Sequence, residues 1–346
     1  MLKPDNIVNP INFINKCDAV YSKISSPNEL GMNLVKYIEI EKFNSHENKS
    51  IFYINQEIEL GDNYWIYAHP ETVEILFNDL NKIDKLNNLT LVTSQSDRLI
   101  TKKLFDKKPS CISNWYSTNV AYNHDSLHSI PLGISDSYNL NNFSTNHIDN
   151  YQQIPFDKKI GKLFINFRKN TNNKERGKIL KEMKHKEFVY FDEYSDNPVS
   201  YIEKLSKHKF IMCPWGNGID TYRIWETLFS GSVPVVKYHY AYENFKKLPI
   251  IFYENIEDLT LDFLVENENN LNLNYSKELL TVDFWINKNI KITENIRKVS
   301  FSSEKAIRSF LYKRKLKSKL KILKYYFLRY INPRNYLNFF KKKLDN

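Results

Sequence analysis

Residues 209–237 constrain the fold of this chain more than any other stretch of it. Phe210–Cys213 is a short apolar run of the strand type, and a loop of turn-forming residues follows it. The next residues have the apolar spacing of a helix that ends at Gly231, and Val233–Val236 is a second apolar run. The segment therefore predicts a strand, a glycine-containing loop, a helix and a second strand, which suits a parallel sheet covered by helices.

The loop itself has a composition that suits an anionic ligand. Three of the chain's eight glycines lie within sixteen residues here, and glycine is favoured where a backbone turns sharply or approaches a ligand closely. Two of them precede a helix that Asp220 or Thr221 can cap, and a helix N-terminus offers free N–H groups to a phosphate. We therefore predict that Gly216, Asn217, Gly218, Asp220 and Thr221 surround a nucleotide. The alternative is a tight turn in an ordinary α/β domain, because the third glycine of a dinucleotide fingerprint is missing.

Arg223 and Glu226 strengthen the ligand-binding interpretation. They lie three residues apart on one face of the predicted helix, just beyond the loop. There the guanidinium group could bind phosphate and the carboxylate could accept hydrogen bonds from ribose hydroxyls. The same spacing also occurs in ordinary surface ion pairs, which is the alternative. Trp225 is expected to pack in the core beneath the loop.

The segment C-P-W-G-N-G-I-D-T-Y-R-I-W-E-T-L-F-S-G-S-V-P-V-V resembles the C-terminal signature of exostosin-like glycosyltransferases. That group includes the ribitol xylosyltransferase type and its bacterial and viral relatives. Weaker similarity extends from about Ile51 to about Asn289, and the first fifty residues and the C-terminal tail lie outside it. Family members often carry His at the position of Tyr222, so a contact made by that side chain can differ here.

Further strand-type and helix-type segments alternate along the chain, which predicts an α/β fold with parallel sheets. The predicted strands are Ile51–Ile54, Tyr64–Tyr67, Leu89–Thr93, Cys111–Trp115, Ser129–Ile134, Lys162–Phe167, Phe188–Phe191 and Ile250–Tyr253. The predicted helices are a helix that carries Val73 to Leu80, Asn173–Met183, Pro198–Lys207 and Ser276–Arg297, with helix-like fragments around Asn28–Ile40.

Residues 137–159 are rich in Asn and Ser and are predicted to link two domains. The predicted organisation is an acceptor-side Rossmann-like domain over 1–145, a nucleotide-sugar-binding Rossmann-like domain over 146–300, and a basic tail over 301–346. The resemblance implies the GT-B fold, in which two such domains face each other across a cleft. Donor and acceptor would then bind on opposite sides of it.

Sugar transfer from a nucleotide diphosphate requires charge stabilisation on the departing diphosphate. The chain has no D-x-D motif that would hold a metal ion for this purpose, so we expect no cofactor and no metal. Arginine side chains and helix N-termini can supply fixed positive charge instead. Arg168 lies just past a predicted strand and Arg176 lies in the following helix, and the resemblance places phosphate-binding basic residues in this region. A solvated basic edge is the alternative.

An inverting transferase, as the resemblance implies, also needs a general base near the acceptor hydroxyl. Asp97 follows the predicted strand Leu89–Thr93 and is the first candidate, and His69 follows the Tyr64–Tyr67 strand and is the second. Asp97 could instead cap a helix, and His69 could be a turn residue beside Pro70. The cluster of His124, Asp125 and His128 is expected to be a loop, because it lacks the usual metal-ligand spacing.

The net charge of +10 is concentrated at the C-terminus, where residues 311–346 hold twelve Lys and Arg and one Asp. Its apolar residues recur at helical spacing from Leu316 through Leu320, Leu323 and Phe327 to Ile331. This pattern predicts an amphipathic helix on an anionic membrane surface. A solvated helix docked on the body and nucleic-acid binding are the alternatives, and the second is disfavoured because the body offers no basic groove.

The three cysteines are widely separated, and the chain lacks an apolar leader and a long apolar run, which predicts a cytoplasmic protein. Together with the basic tail, this predicts a position on the inner face of the membrane. Together with the resemblance, these features predict a hexosyl- or pentosyltransferase that uses a nucleotide diphosphate sugar. A UDP-linked donor is expected in preference to other nucleotides. Its acceptor would be a surface polysaccharide or lipopolysaccharide, and we expect no nucleic-acid partner. The alternative is a catalytically inactive nucleotide- or glycan-binding protein tethered by its tail. An NAD-type oxidoreductase is disfavoured by the missing G-x-G-x-x-G.

Overall fold

A computed structural model describes residues 2–25, 36–43, 49–135, 143–145, 147, 154–192, 197–286, 288, 294–313, 316, 320 and 323. The chain divides into two compact units, Met1–Val299 and Ser300–Asn346. The predicted division near residue 145 falls inside the first of these units and stays a prediction. Most of the predicted linker 137–159 lies outside the described residues.

The described strands and helices alternate along most of the first unit. The strands are β1 (Ala19–Val20), β2 (Ser22–Ser25), β3 (Lys36–Phe43), β4 (Lys49–Leu60), β5 (Trp65–Tyr67), β6 (Leu89–Thr93), β7 (Ile112–Ser117), β8 (Leu127–Ser129), β9 (Ile160–Ile165), β10 (Val189–Phe191), β11 (His208–Met212), β12 (Val233–Lys237), β13 (Ile251–Tyr253) and β14 (Arg297–Ser300). The α-helices are α1 (Pro10–Asn15), α2 (Val73–Leu80), α3 (Lys102–Phe105), α4 (Asn173–Met183), α5 (Pro198–Ser206), α6 (Tyr222–Phe229), α7 (Leu261–Asn269) and α8 (Val282–Trp285). The 3-10 helices are Pro4–Asn6, Phe156–Lys158, Tyr240–Phe245, Ile256–Asp258 and Lys277–Leu280.

The first parallel sheet has the strand order β1-β5-β6-β7-β8, and all four neighbouring pairs are parallel. Every residue of β6 is buried, which is typical of a central strand covered on both faces. Leu91 lies opposite Ile66 on one side and Trp115 on the other. The predicted α/β organisation of this part is therefore confirmed.

The second parallel sheet has the order β10-β9-β11-β12-β13, again with all pairs parallel. Helices pack on both of its faces, because alternate strand residues belong to two different hydrophobic clusters. Leu163 and Phe210 pack with Ile179 of α4, whereas Phe164 and Ile211 are in a cluster that includes residues of α5 and α6. This is a doubly wound arrangement compatible with a Rossmann-like domain.

A third sheet was not predicted. It has the order β14-β4-β2, with β3 also paired to β4, and β4 is antiparallel to both β2 and β3. The predicted strand Ile51–Ile54 therefore exists, but within an antiparallel ribbon. The helix predicted around Asn28–Ile40 is wrong for Lys36–Ile40, which belongs to β3. There Ile38 is buried between two exposed residues, as in a strand with one buried face. Residues 28–35 lie outside the described residues.

Two further predictions are corrected by contacts with the N-terminal segment. The strand predicted over Ser129–Ile134 ends at Ser129. Beyond it Gly133 has a φ of +75°, and Ile134 N–H donates to the carbonyl of Val8. The helix predicted over Ser276–Arg297 is broken into a 3-10 turn, α8 and β14. Here Val8 N–H donates to the carbonyl of Leu280, and Ile7 forms an antiparallel bridge with Thr281.

The same contacts show what the first residues do. Ile7, Val8 and Phe13 are at most 1% exposed and join the cluster that contains residues of both parallel sheets. Asn12 fixes this segment, because its side-chain amide donates to the carbonyls of Pro4 and Ile7. The N-terminal segment is therefore part of the core of the first unit.

In the second unit, residues 304–313 are helical, and so are Leu316, Leu320 and Leu323, which are 46–63% exposed. The rest of the predicted amphipathic tail, including Phe327 and Ile331, lies outside the described residues. None of the helices in the described residues is long and apolar enough to span a membrane.

Candidate functional site

The carboxyl ends of β9 and β11 form the crevice at which a doubly wound sheet binds its ligands. The chain leaves β9 through α4, which packs on one face of the sheet, and returns to β11 through α5, which packs on the other. Because the two connections diverge, the space above these adjacent strand ends is left open. The loop from Cys213 to Thr221 follows β11 and lies at this crevice.

Arg176 joins the two loops that border the crevice. Its Nε atom donates to the carbonyl of Trp215 at 3.1 Å, and its Nη1 atom donates to the carbonyl of Arg168 at 3.0 Å. Its Nη2 atom is 3.5 Å from the position that a Cβ atom would take at Gly216. The structure therefore brings Arg176, the backbone of Arg168 and the glycine loop together, and it leaves the side chain of Arg168 exposed.

A second polar residue fixes the same loop. Asn172 caps α4, since its side chain accepts from Glu175 N–H at 3.2 Å, and its Nδ2 atom donates to the carbonyl of Gly216 at 3.0 Å. Asn217 is exposed at the tip of the loop. Two side chains from α4 and its cap thus hold the first part of the loop at Trp215 and Gly216, while its tip faces solvent.

α6 carries Arg223 and Glu226, the two residues predicted to bind the nucleotide, and Glu226 lies in a buried setting. Glu226 is 6% exposed, and its Oε2 atom accepts from the hydroxyl of Tyr201 at 3.0 Å. The Arg223 guanidinium lies 5.1 Å from the Tyr201 ring and donates to the carbonyl of Asn166 at 2.9 Å. Burial raises the pKa of Glu226, and the nearby Arg223 charge and the Tyr201 hydrogen bond oppose that rise. The surface ion-pair alternative is therefore excluded for Glu226.

Unsatisfied polar atoms mark the floor of the crevice. Asn166 follows β9 and is fully buried, yet neither atom of its side-chain amide has a hydrogen-bond partner within the described part of the chain. The Oγ1 atom of Thr221 is also buried without a hydrogen-bond partner among the described residues. Thr221 is the N-cap residue of α6, and its side chain makes no capping hydrogen bond. Buried polar groups are normally paired, so these atoms indicate a place for a ligand or for ordered water.

Asp220 has a different place from the one predicted for a nucleotide contact. It is 4% exposed; Oδ1 accepts from Trp225 Nε1 at 2.9 Å and Oδ2 accepts from Leu132 N–H at 2.7 Å. Burial raises the pKa of Asp220 to about 7. Its carboxylate therefore connects the loop to the core and to the segment after β8. Trp225 is fully buried, as predicted.

Asp97 reaches the glycine loop from the first parallel sheet. It lies in the segment that follows β6, and its Oδ1 atom is 3.0 Å from the position of a Cβ atom at Gly218. The side chain of Asp97 is exposed. The segment after β6 of the first sheet and the glycine loop of the second are thus in contact.

His69 is placed less favourably for the same role. It is 1% exposed, its Nε2 atom lies 3.0 Å from the carbonyl of Gln95, and its Nδ1 atom accepts from Glu71 N–H at 3.2 Å. Since both ring nitrogens are occupied by backbone groups, His69 fixes the conformation of the loops after β5 and β6. This geometry favours Asp97 over His69.

Three asparagines and an aromatic residue also lie at this site, and none of them was predicted as a site residue. Asn119, Asn166 and Asn172 each follow a strand or precede a helix, and their position at strand ends was the available signal. Trp215 donates from Nε1 to the carbonyl of Lys237 at 3.1 Å, and its ring lies 5.5 Å from that of His239. The end of β12 thus forms a further wall of the loop.

The described residues contain no group of three or more His, Cys, Asp or Glu side chains that could hold a metal ion. His124 lies in the connection that leads into β8, as expected for a loop residue, and its Nδ1 atom contacts Ser126. The loop expectation is wrong for His128, which lies within β8. Its ring is tilted against that of Tyr116, with the two ring centroids 4.6 Å apart.

Two parallel sheets, the second of them doubly wound, define an α/β protein with Rossmann-like sheet topology. Within it, residues 163–279, which run from β9 to the 3-10 helix Lys277–Leu280, match the RXYLT1 C-terminal domain family. This match confirms the resemblance to the ribitol xylosyltransferase type and indicates a glycosyltransferase in general. The comparison with curated proteins gave no match.

Proposed function

We propose that this protein is a glycosyltransferase of GT-B type that takes its sugar, a hexose or a pentose, from a UDP-linked donor. The observation that carries the proposal is the contact between Asp97 of the first sheet and Gly218 in the loop of the second. A transferase must hold the donor beside a group that deprotonates the acceptor hydroxyl. The crevice supplies a place for the donor, and Asp97 stands at its border.

In this proposal the diphosphate binds at the N-terminus of α6 and beside the Arg176 guanidinium. Helix N–H groups and a fixed guanidinium stabilise the negative charge that develops on the leaving group, so the reaction proceeds without a metal ion. Arg168 adds a solvent-exposed positive charge at the rim. Arg223 adds positive charge for the phosphate, and Glu226 binds the ribose. Because Oε2 of Glu226 already accepts a hydrogen bond from Tyr201, a ribose hydroxyl would donate to Oε1.

Asp97 acts as general base in the proposed reaction. Its carboxylate removes the proton from the acceptor hydroxyl as that oxygen attacks the anomeric carbon from the side opposite the diphosphate, and the configuration is inverted. We further propose a surface polysaccharide or lipopolysaccharide acceptor. The protein would work on the cytoplasmic face of the membrane, with the basic residues of 311–346 against the anionic surface.

The test is binding and turnover of nucleotides by the purified protein. UDP is expected to raise the melting temperature with or without EDTA, by an amount that corresponds to about 2.7 kcal/mol at a hundred times the dissociation constant. GDP and CMP should do so less, and Glu226→Ala should abolish the shift. Asp97→Asn should keep UDP binding and lower donor hydrolysis by about 10²-fold or more.

Two outcomes would count against the proposal. If no nucleotide shifts the melting temperature, the crevice is not a donor site. If UDP binds but neither UDP-glucose nor UDP-xylose is hydrolysed or transferred, the protein is a catalytically inactive nucleotide-binding protein.

A further inference from the structure

Asn119 connects the two sheets through its side-chain amide. It lies two residues beyond β7, is 2% exposed and has a φ of +55°. Its Oδ1 atom accepts from Ile219 N–H at 3.0 Å and from Asp220 N–H at 2.9 Å, and its Nδ2 atom donates to the carbonyl of Ser96 at 2.9 Å. Both lone pairs of the amide oxygen and one of the two N–H groups are therefore used.

These hydrogen bonds join the two segments that meet at the proposed reaction centre. Ile219 and Asp220 follow Gly218 directly, and Ser96 precedes Asp97. The backbone of Asn119 holds the first-sheet segment as well, because its carbonyl accepts from Ile100 N–H at 3.0 Å. A Cβ atom at Gly218 would lie 3.2 Å from Asn119 Nδ2 and 3.0 Å from Asp97 Oδ1, so both side chains lie against Gly218.

We propose that Asn119 is a positioning residue that sets the distance between Asp97 and the glycine loop, an inference that rests on the proposed function. The amide of Asn119 binds both segments at once, and no other residue type offers two acceptor sites and a donor at this length while tolerating a positive φ. Since a displacement of about 1 Å at a reacting centre can cost about 10²-fold in rate, loss of this link should lower turnover more than it weakens donor binding.

Two substitutions separate the functions of the amide. Asn119→Asp keeps both acceptor sites for Ile219 and Asp220 but replaces the donor to Ser96 with a carboxylate oxygen, so it releases only the Asp97 segment. Asn119→Gly removes all three side-chain hydrogen bonds and keeps a residue that accepts the positive φ. Asn88→Gly is the matched control, because Asn88 has a φ of +57° and directly precedes β6, at the opposite end of that strand from Asp97.

The experiment measures UDP affinity by calorimetry and UDP-glucose and UDP-xylose hydrolysis by initial rates. Asn119→Asp is expected to lower kcat by about tenfold to 10²-fold while the dissociation constant for UDP stays within about twofold of the wild-type value. Asn119→Gly should lower kcat and also weaken UDP binding, because it releases the loop. Asn88→Gly should change neither.

A double-mutant cycle with Asp97→Asn distinguishes positioning from general structural damage. If Asn119 acts through Asp97, Asn119→Asp has no further effect on kcat once Asp97 is changed, whereas independent damage would multiply the two losses. Hydrogen exchange gives a readout that needs no ligand: the amides of Ile219 and Asp220 should lose protection in Asn119→Gly and keep it in Asn119→Asp.

Three results would overturn the inference. Wild-type rates in Asn119→Asp, multiplicative losses in the cycle, or unchanged exchange in Asn119→Gly would each show that Asn119 does not position Asp97, with the proposed function intact. Failure of the wild-type protein to bind UDP would reject the proposed function and this inference together.

Discussion

Oδ1 of Asp97 lies 3.0 Å from the position that a Cβ atom would occupy at Gly218, and Cα of Asp97 lies 3.2 Å from it. The contact joins the segment after β6 to the loop after β11, so it connects the two parallel sheets where both sets of strands end. Both distances are shorter than those of most real Cβ contacts, so a side chain at Gly218 would push Asp97 or the loop away by a few tenths of an ångström. Glycine at this position therefore permits the close approach of the two segments, in addition to any requirement of a ligand.

Gly218→Ala is expected to lower the rate of donor hydrolysis by about tenfold or more, because Asp97 or the loop must move away. Melting temperature and initial rates check this. Gly216→Ala should be better tolerated sterically, since the atoms nearest to its Cβ position are 3.5–4.0 Å away. Gly161→Ala is the control, because nothing lies within 4 Å of its Cβ position. Equal rates in the Gly218 and Gly161 variants would refute the steric argument.

Tyr201→Phe is expected to lower the free energy of unfolding by about 1–3 kcal/mol, because it leaves a buried Glu226 oxygen without its donor. The hydroxyl of Tyr201 also lowers the pKa of Glu226, so its loss should raise that pKa further and weaken UDP binding at neutral pH. Chemical denaturation and calorimetry measure the two effects. Tyr190→Phe is the control, since Tyr190 is 48% exposed and its change should stay within about 0.5 kcal/mol. An equal effect in both variants would show that the Glu226 hydrogen bond is unimportant.

The second parallel sheet could be predicted closely from the sequence, because each of its strands and helices can be recognised from the residues within it. The helix Asn173–Met183 and the strand Leu89–Thr93 of the first sheet have the predicted bounds, since each is an uninterrupted periodic segment with clear ends. The glycine loop and the approach of Arg176 to it were also predictable, because both follow neighbouring parallel strands.

The rest depends on contacts between residues that are distant in the sequence. The sequence of β3 resembles that of a helix locally, and only its antiparallel pairing with β4 makes it a strand. The helix predicted after Ser276 is interrupted by Ile7 and Val8, some 270 residues earlier in the chain. In the sequence Asp220 looks like a ligand-binding residue of the loop. Its hydrogen-bond partners Leu132 and Trp225 become apparent only in the fold.

Asp220 should make stability depend on pH. Its pKa is raised by burial from 3.8 to about 7 in the folded protein, so the folded state binds more protons than the unfolded state between these values. The free energy of unfolding therefore falls as pH rises through this range, by up to about 3 kcal/mol from pH 5 to pH 8. The same measurement on Asp220→Asn removes the contributions of other groups by subtraction. Wild type should lose stability relative to the variant as pH rises, and a constant difference would show that Asp220 does not titrate.

Arg176→Lys is expected to weaken UDP binding by about tenfold, since a lysine has one ammonium group and cannot keep a planar fork on the carbonyls of Trp215 and Arg168. Arg168→Lys is the matched comparison: its side chain is exposed, and a lysine can replace it as a point charge near phosphate. Calorimetric titration of UDP at two salt concentrations measures both variants. The affinity of Arg168→Lys should stay near the wild-type value, because a compact cation at the rim needs no fixed geometry. If both substitutions weaken binding equally, Arg176 contributes charge alone, and the link between the two loops is not needed to form the donor site.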